Sequence, residues 1–113
     1  MARKNTILLV EDEPAVRQGT EQFLRQRGFA VLTATSGEEA LEKFAQVDVI
    51  ILDIMLPGMS GIETLHQIRQ TSDVPVLMLT ALHDEPTQVA SFDELADDYM
   101  SKPFSLVLLE KRI

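Results

Sequence analysis

The sequence predicts an α/β fold of three layers, in which a parallel β-sheet lies between two layers of helices. Four short segments are apolar at every position, a pattern typical of strands that helices cover on both faces; they are residues 7–10, 30–32, 49–52 and 76–79. Amphipathic segments separate these strands, and a shorter fifth strand is predicted around residues 99–100. Strands that alternate with helices are joined by right-handed crossovers, which makes the sheet parallel.

Local signals define where the helices begin. Pro14 suits the first turn of helix 1, where the missing N–H has no helical partner to lose. Ser36 and Ser60 each precede a glutamate by three residues, so both read as capping boxes that open helices 2 and 3. A weaker helix 4 is predicted over residues 86–93, and helix 5 over residues 105–113.

Five successive β-α units favour a flavodoxin-like sheet with the strand order 2-1-3-4-5. Residues 1–113 then form one domain. Its last helix has eight residues from Leu106 and ends on apolar Ile113 without a cap, whereas a mean helix has about 11–12 residues. We therefore expect the last helix to be truncated and no output domain to be present in this chain, although a naturally short helix is the alternative.

Composition and charge exclude several classes of protein. An apolar fraction of 45% and a charged fraction of 25% are typical of a globular domain rather than of a disordered chain. The lack of cysteine excludes disulfides and thiolate metal sites. A net charge of −8 repels phosphate, so we expect this domain to bind no nucleic acid by itself. No segment approaches the roughly 20 apolar residues of a membrane span, and no signal-peptide core is present. We expect a cytoplasmic protein with no membrane partner.

Carboxylates follow the first and third predicted strands. Glu11 and Asp12 come directly after the first strand, and Asp53 directly after the third. These strands are expected to be neighbours, so the three carboxylates converge at the carboxyl end of the sheet. They repel one another there unless a cation lies among them. Mg²⁺ prefers such oxygen ligands and keeps waters that a phosphate can displace. The alternative is a set of ordinary loop and capping acids, which accounts for Glu13 but not for Asp53.

Two further residues at strand ends favour phosphoryl chemistry. A carboxylate such as Asp53 can attack phosphorus and form an acyl phosphate. The transferred group then needs a cation, a hydroxyl donor and an ammonium group on its three oxygens. Thr80 follows the fourth strand and Lys102 the fifth, so Mg²⁺, Thr80 and Lys102 would supply one each.

Four sequence blocks resemble the receiver domain of two-component response regulators, and their order makes the match specific over nearly the whole chain. The blocks are residues 7–13, 52–61, 79–81 and 96–104. The second and fourth are most similar to those of the winged-helix transcription regulators of the OmpR/PhoB type. The resemblance implies a phosphorelay domain that accepts a phosphoryl group from a sensor histidine kinase and switches a transcriptional output. It would catalyse only its own phosphorylation and slow dephosphorylation.

The resemblance also assigns roles to the residues that match the family's motifs. These are Asp53 as the phosphoacceptor, Glu11 and Asp12 as Mg²⁺ ligands, Met55 as a backbone-carbonyl ligand, Thr80 as the hydroxyl switch, Tyr99 as the switch aromatic and Lys102 as the phosphate-binding lysine. The family further implies a phosphorylation-dependent homodimer through helix 4, strand 5 and helix 5, which we expect to be weak in this chain because its last helix is short. Asp98 and Arg112 align with an ion pair across that interface. Leu95, where the family commonly has glycine, and Pro86 depart from the pattern near helix 4.

Three other functions compete with this interpretation. A flavin-binding module would share the fold, but acidic residues after strand 1 would repel the flavin phosphate. A phosphatase resembling the haloacid dehalogenases needs an aspartate two positions after its nucleophile, where this chain has Met55. A degenerate receiver that only binds partners usually lacks an active-site residue, and here all are present.

Overall fold

The computed structural model of the protein describes residues 5–54, 56–81, 98–102 and 106. Its strands are β1 Thr6–Val10, β2 Ala30–Ala34, β3 Val49–Asp53, β4 Val76–Ala81 and β5 Asp98–Lys102. They form one five-stranded sheet in the order β2-β1-β3-β4-β5, and every pairing is parallel. The predicted fold class and strand order are confirmed.

The described helices begin where the local signals predict. They are α1 Pro14–Gln26, α2 Gly37–Lys43 and α3 Gly61–Arg69, with a 3-10 turn, Phe44–Gln46, after α2. Pro14 occupies the first turn of α1. None of these helices is long and apolar enough to cross a bilayer.

Both predicted serine caps are present, but only half of the capping box at α2 is. The Ser36 hydroxyl accepts a hydrogen bond from the backbone N–H of Glu39, and Ser60 accepts one from Glu63, each at 3.1 Å. In the reciprocal half of a capping box, the Glu39 carboxylate would accept from the backbone N–H of Ser36, and this bond is not formed. The carboxylate accepts instead from the backbone N–H of Thr35, one residue earlier, at 2.8 Å.

The two faces of the sheet carry separate apolar clusters. On one face, α2 and α3 pack against alternate residues of β1 and β3, with Leu65 and Ile68 fully buried. On the other face, Leu24 of α1 and half-buried Leu106 pack against the intervening residues. Leu106 is helical, as predicted. The remainder of predicted helix 5 and all of predicted helix 4, with Pro86 and Leu95, lie outside the described residues.

The prediction that all four apolar segments are fully buried is wrong for β2, and Val49 at the start of β3 is only half-buried. Ala30 is exposed, and Leu32 has 44% of its surface accessible. β2 is the edge of the sheet, so it has β1 as a neighbour on one side only. An apolar run of three residues cannot distinguish such an edge from a central strand.

Candidate metal and phosphoacceptor site

The three acidic residues meet at the carboxyl end of the sheet. Glu11 follows β1 directly, Asp12 is the next residue, and Asp53 is the last residue of β3. β1 and β3 are paired in register with Val10 opposite Leu52, which brings the two strand ends side by side. One carboxylate oxygen from each acid can be chosen so that all three lie within 4.8 Å of one another. The convergence predicted from strand order is therefore present.

Burial makes this cluster electrostatically demanding. Glu11 is 1% exposed and Asp53 is 3% exposed, whereas Asp12 is open to solvent. Repulsion between carboxylates is stronger where protein replaces water, because the local dielectric is lower. A hard divalent cation that approaches from the Asp12 side would find three oxygen donors already assembled.

Arg17 holds the loop that carries two of the acids. Its Nη1 donates to the carbonyl oxygen of Glu11 at 3.0 Å and to that of Asp12 at 3.3 Å. The loop also closes on itself, since the backbone N–H of Glu13 donates to the Glu11 carboxylate at 3.2 Å.

This role of Arg17 was not predicted from the sequence. One signal could have revealed it: a long side chain in the first turn of a helix points back toward the helix N-terminus, which here is the acidic loop.

Gly61, the first residue of α3, packs against the backbone at the end of β3. Its backbone N–H donates to the carbonyl of Ile54 at 2.9 Å. A Cβ atom at this position would lie 2.7 Å from the Cα of Ile54 and would collide with the carbonyl oxygen of Asp53. Only glycine lets the start of α3 pack this closely under the acidic cluster. Gly61 lies in the second family block, but this packing role was not predicted from the sequence.

Thr80 and Lys102 lie at the carboxyl end of the sheet, as the three acids do. Asp53 is the register partner of Leu79, and Thr80 is the next residue of β4. Lys102 is the register partner of Ala81, the residue that ends β4. Strand pairing therefore places the backbones of Thr80 and Lys102 at the same end of the sheet as the acids. The predicted phosphoryl chemistry requires this placement.

The remaining predicted residues divide into two groups. Tyr99 and Asp98 lie at the start of β5, opposite Met78 and Leu77 of β4. Met55 and Arg112 lie outside the described residues.

Comparison with known proteins gives a consistent result. The model of the response regulator receiver domain family matches residues 7–113. Response regulator RR06 of Streptococcus pneumoniae is 49% identical over 109 residues, covering 95% of this chain and 50% of that protein. The uncharacterized transcriptional regulatory protein YclJ of Bacillus subtilis is 45% identical over 109 residues, covering 95% and 48%. The chain thus spans about half the length of these relatives.

Comparison with solved structures gives the same family as comparison of the sequences. The crystal structure of a putative response regulator from Chloroflexus aurantiacus superposes with a TM-score of 0.88 at 38% identity, over 97% of this chain and 94% of that one. The resemblance read from the four sequence blocks is confirmed. The match sets aside the flavin-binding and phosphatase alternatives, since these domains serve signalling rather than metabolic catalysis. The chain belongs to the response regulator receiver domain family of two-component systems.

Proposed function

We propose that this domain, in the cytoplasm, accepts a phosphoryl group on Asp53 from a sensor histidine kinase, with Mg²⁺ held by Glu11, Asp12 and Asp53. The observation that carries the proposal is the cluster of three carboxylates, two of them buried, within 4.8 Å at adjacent strand ends. Receiver domains bind Mg²⁺ at an acidic pocket and act with histidine kinases. The donor set fits this ion, because all its members are carboxylate oxygens.

In the proposed reaction, a carboxylate oxygen of Asp53 forms a bond to phosphorus while the bond from phosphorus to the donor's imidazole nitrogen breaks. The released imidazole takes up a proton. Bound Mg²⁺ would offset the negative charge of the phosphoryl oxygens and of the acids beside them. Thr80 would donate its hydroxyl to one phosphoryl oxygen, and Lys102 its ammonium to another. The backbone carbonyl of Met55 completes the proposed metal ligands.

The proposed output step begins at Thr80. Its hydroxyl is drawn toward the phosphoryl group, and Tyr99 turns into the space that it leaves. A weak homodimer would then form through β5 and the helices predicted over residues 86–93 and 105–113, with Asp98 and Arg112 as an ion pair. An ion pair near the rim of an interface contributes about 0–1 kcal/mol, which is why weak association is proposed. By analogy with relatives that are transcriptional regulators, the output would be control of transcription by a DNA-binding domain of the parent protein.

Intact-mass spectrometry after incubation with acetyl phosphate and Mg²⁺ tests the proposal. The wild-type chain should gain one phosphoryl group, and Asp53→Asn should gain none. Asp73→Asn is the matched control, because Asp73 is exposed and lies in the segment before β4, away from the cluster. Full modification of Asp53→Asn would refute the assignment, and an unmodified wild-type chain would favour a degenerate receiver.

A further inference from the structure

Along the outer edge of β2, the backbone carbonyls of alternate residues point away from the sheet. On the inner side, the backbone N–H of Ala30 donates to Asn5, and the carbonyl of Ala34 accepts from the residue after β1, each at 3.0 Å. Alternate residues of an edge strand bond to its one neighbour. Val31 and Thr33, which lie between the bonded positions, therefore direct their N–H and C=O groups outward.

Two cationic side chains cover these outward carbonyls, one from each face of the sheet. Arg25 of α1 donates from Nη2 to the carbonyl of Val31 at 2.6 Å. Lys43 of α2 donates from Nζ to the carbonyl of Thr33 at 2.7 Å. We refer to Arg25 and Lys43 as the edge cations.

Each edge cation is held by a glutamate one helical turn earlier. Arg25 Nε is 3.0 Å from Glu21 Oε2, and Lys43 Nζ is 2.8 Å from Glu39 Oε2. The hydrogen bonds from Lys43 and from the backbone of Thr35 lower the pKa of Glu39 to about 2, so its carboxylate stays charged well below neutral pH. The same device thus occurs twice, from helices that pack on opposite faces of the sheet.

We infer that the edge cations keep β2 from pairing with β2 of a second copy of this chain. An edge strand with outward N–H and C=O groups is a template for strand addition, and natural proteins commonly protect such edges with charged side chains. Two identical edges can pair antiparallel about a two-fold axis, which would join two five-stranded sheets. Leu32, 44% exposed on this strand, would add apolar contact. An approaching strand must displace both cations from their carbonyls, which opposes the pairing.

The test removes the hydrogen-bond donors and keeps an unbranched side chain at each position. We study the double variant Arg25→Met/Lys43→Met without a phosphoryl donor. The mass that sedimentation measures should rise toward twice the 12.6 kDa chain mass as concentration rises. The wild-type chain should show no such shift over the same range. Hydrogen exchange should slow at the amides of Val31 and Thr33 in the associated variant.

Two controls make the result specific to this edge. Arg25→Lys/Lys43→Arg keeps a donor at both positions and should behave as the wild-type chain. Adding Thr33→Pro to the methionine variant removes an outward N–H without loss of an inner ladder bond, so association should disappear. Circular dichroism establishes whether each variant is folded. If the double methionine variant does not fold, the two single methionine variants are tested in its place.

Three results would overturn the inference. They are a folded methionine variant that stays monomeric, association that survives Thr33→Pro, and growth beyond a dimer, because two-fold pairing consumes the edge.

Discussion

Arg17 shows how one side chain outside the acidic cluster can set its geometry. The guanidinium bonds the carbonyl oxygens of two consecutive residues, Glu11 and Asp12, so it fixes the turn from which both carboxylates project. Groups that orient metal ligands in this way typically account for about 10–100-fold of metal affinity. Arg17 is thus a positioning residue for the proposed magnesium site.

Arg17→Ala is expected to weaken Mg²⁺ binding by about 10-fold, because the loop loses both bonds from the guanidinium. Calorimetric titration of the chain with MgCl₂ measures the change. Arg17→Lys, which keeps a cationic donor but loses the length and planar geometry of the guanidinium, should fall between the alanine variant and the wild-type chain. Equal Mg²⁺ affinity in all three proteins would show that the loop holds its shape without this residue.

Gly61→Ala is expected to destabilise the fold by about 1–3 kcal/mol, since the added methyl group would overlap the backbone under Asp53. It should also slow modification by acetyl phosphate, because the acceptor carboxylate moves with that backbone. The matched control is Gly19→Ala in α1, where a Cβ would meet nothing within 4 Å. This change should stabilise the chain by about 0.5–1 kcal/mol through helix propensity. Urea unfolding measures both, and equal effects of the two alanines would contradict the close packing.

At the scale of single elements, local signals predict some features and leave others open. Pro14, Ser36 and Ser60 mark helix starts because a cap depends only on nearby residues. The exposure of β2 depends on its place in the sheet, which its own apolar residues do not encode. The hydrogen bond that the Thr35 backbone N–H donates to Glu39 depends on how the chain enters α2, and no spacing rule specifies that path.

The lowered pKa of Glu39 has a consequence for stability. Its value of about 2, below the ordinary 4.5, means that the folded protein favours the charged carboxylate. The resulting stability is fully present above pH 4.5 and is lost as pH falls toward 2. Since about a third of the side chain, 34%, is exposed, solvent screening limits the contribution to about 1 kcal/mol or less.

Glu39→Gln should therefore lower the free energy of unfolding at neutral pH by up to about 1 kcal/mol, and its difference from the wild-type chain should vanish near pH 2. Urea unfolding across this pH range measures the difference. Glu42→Gln, an exposed position on the same helix, is the control and should stay within about 0.5 kcal/mol of the wild-type chain. A difference that grows as the pH falls would have the wrong sign for this interpretation.

At the scale of the whole molecule, the sequence predicts the site because it predicts the topology. The strand order 2-1-3-4-5 makes β1 and β3 neighbours, so the residues at and just after their carboxyl ends lie close together. The contribution of Gly61 could not be predicted in this way. It depends on the distance between α3 and β3, which is set by packing across the whole domain.

Because only the folded chain assembles the three carboxylates, Mg²⁺ is expected to raise the melting temperature. At 100 times its dissociation constant a ligand of the folded state adds about 2.7 kcal/mol of stability. Thermal unfolding with and without MgCl₂ measures the effect, and Asp12→Ala should remove it. A melting temperature indifferent to millimolar MgCl₂ in the wild-type chain would count against a metal site.

Asp53 is the proposed phosphoacceptor, and chemical trapping identifies the modified residue. Borohydride reduces an acyl phosphate to an alcohol, so after treatment with acetyl phosphate and Mg²⁺ it converts the modified aspartate to homoserine. Peptide mass spectrometry then locates the converted residue. We predict conversion at Asp53, dependent on Mg²⁺ and reduced in Asp12→Ala. Conversion at Asp12 or elsewhere, with Asp53 unchanged, would rule out Asp53 as the phosphoacceptor.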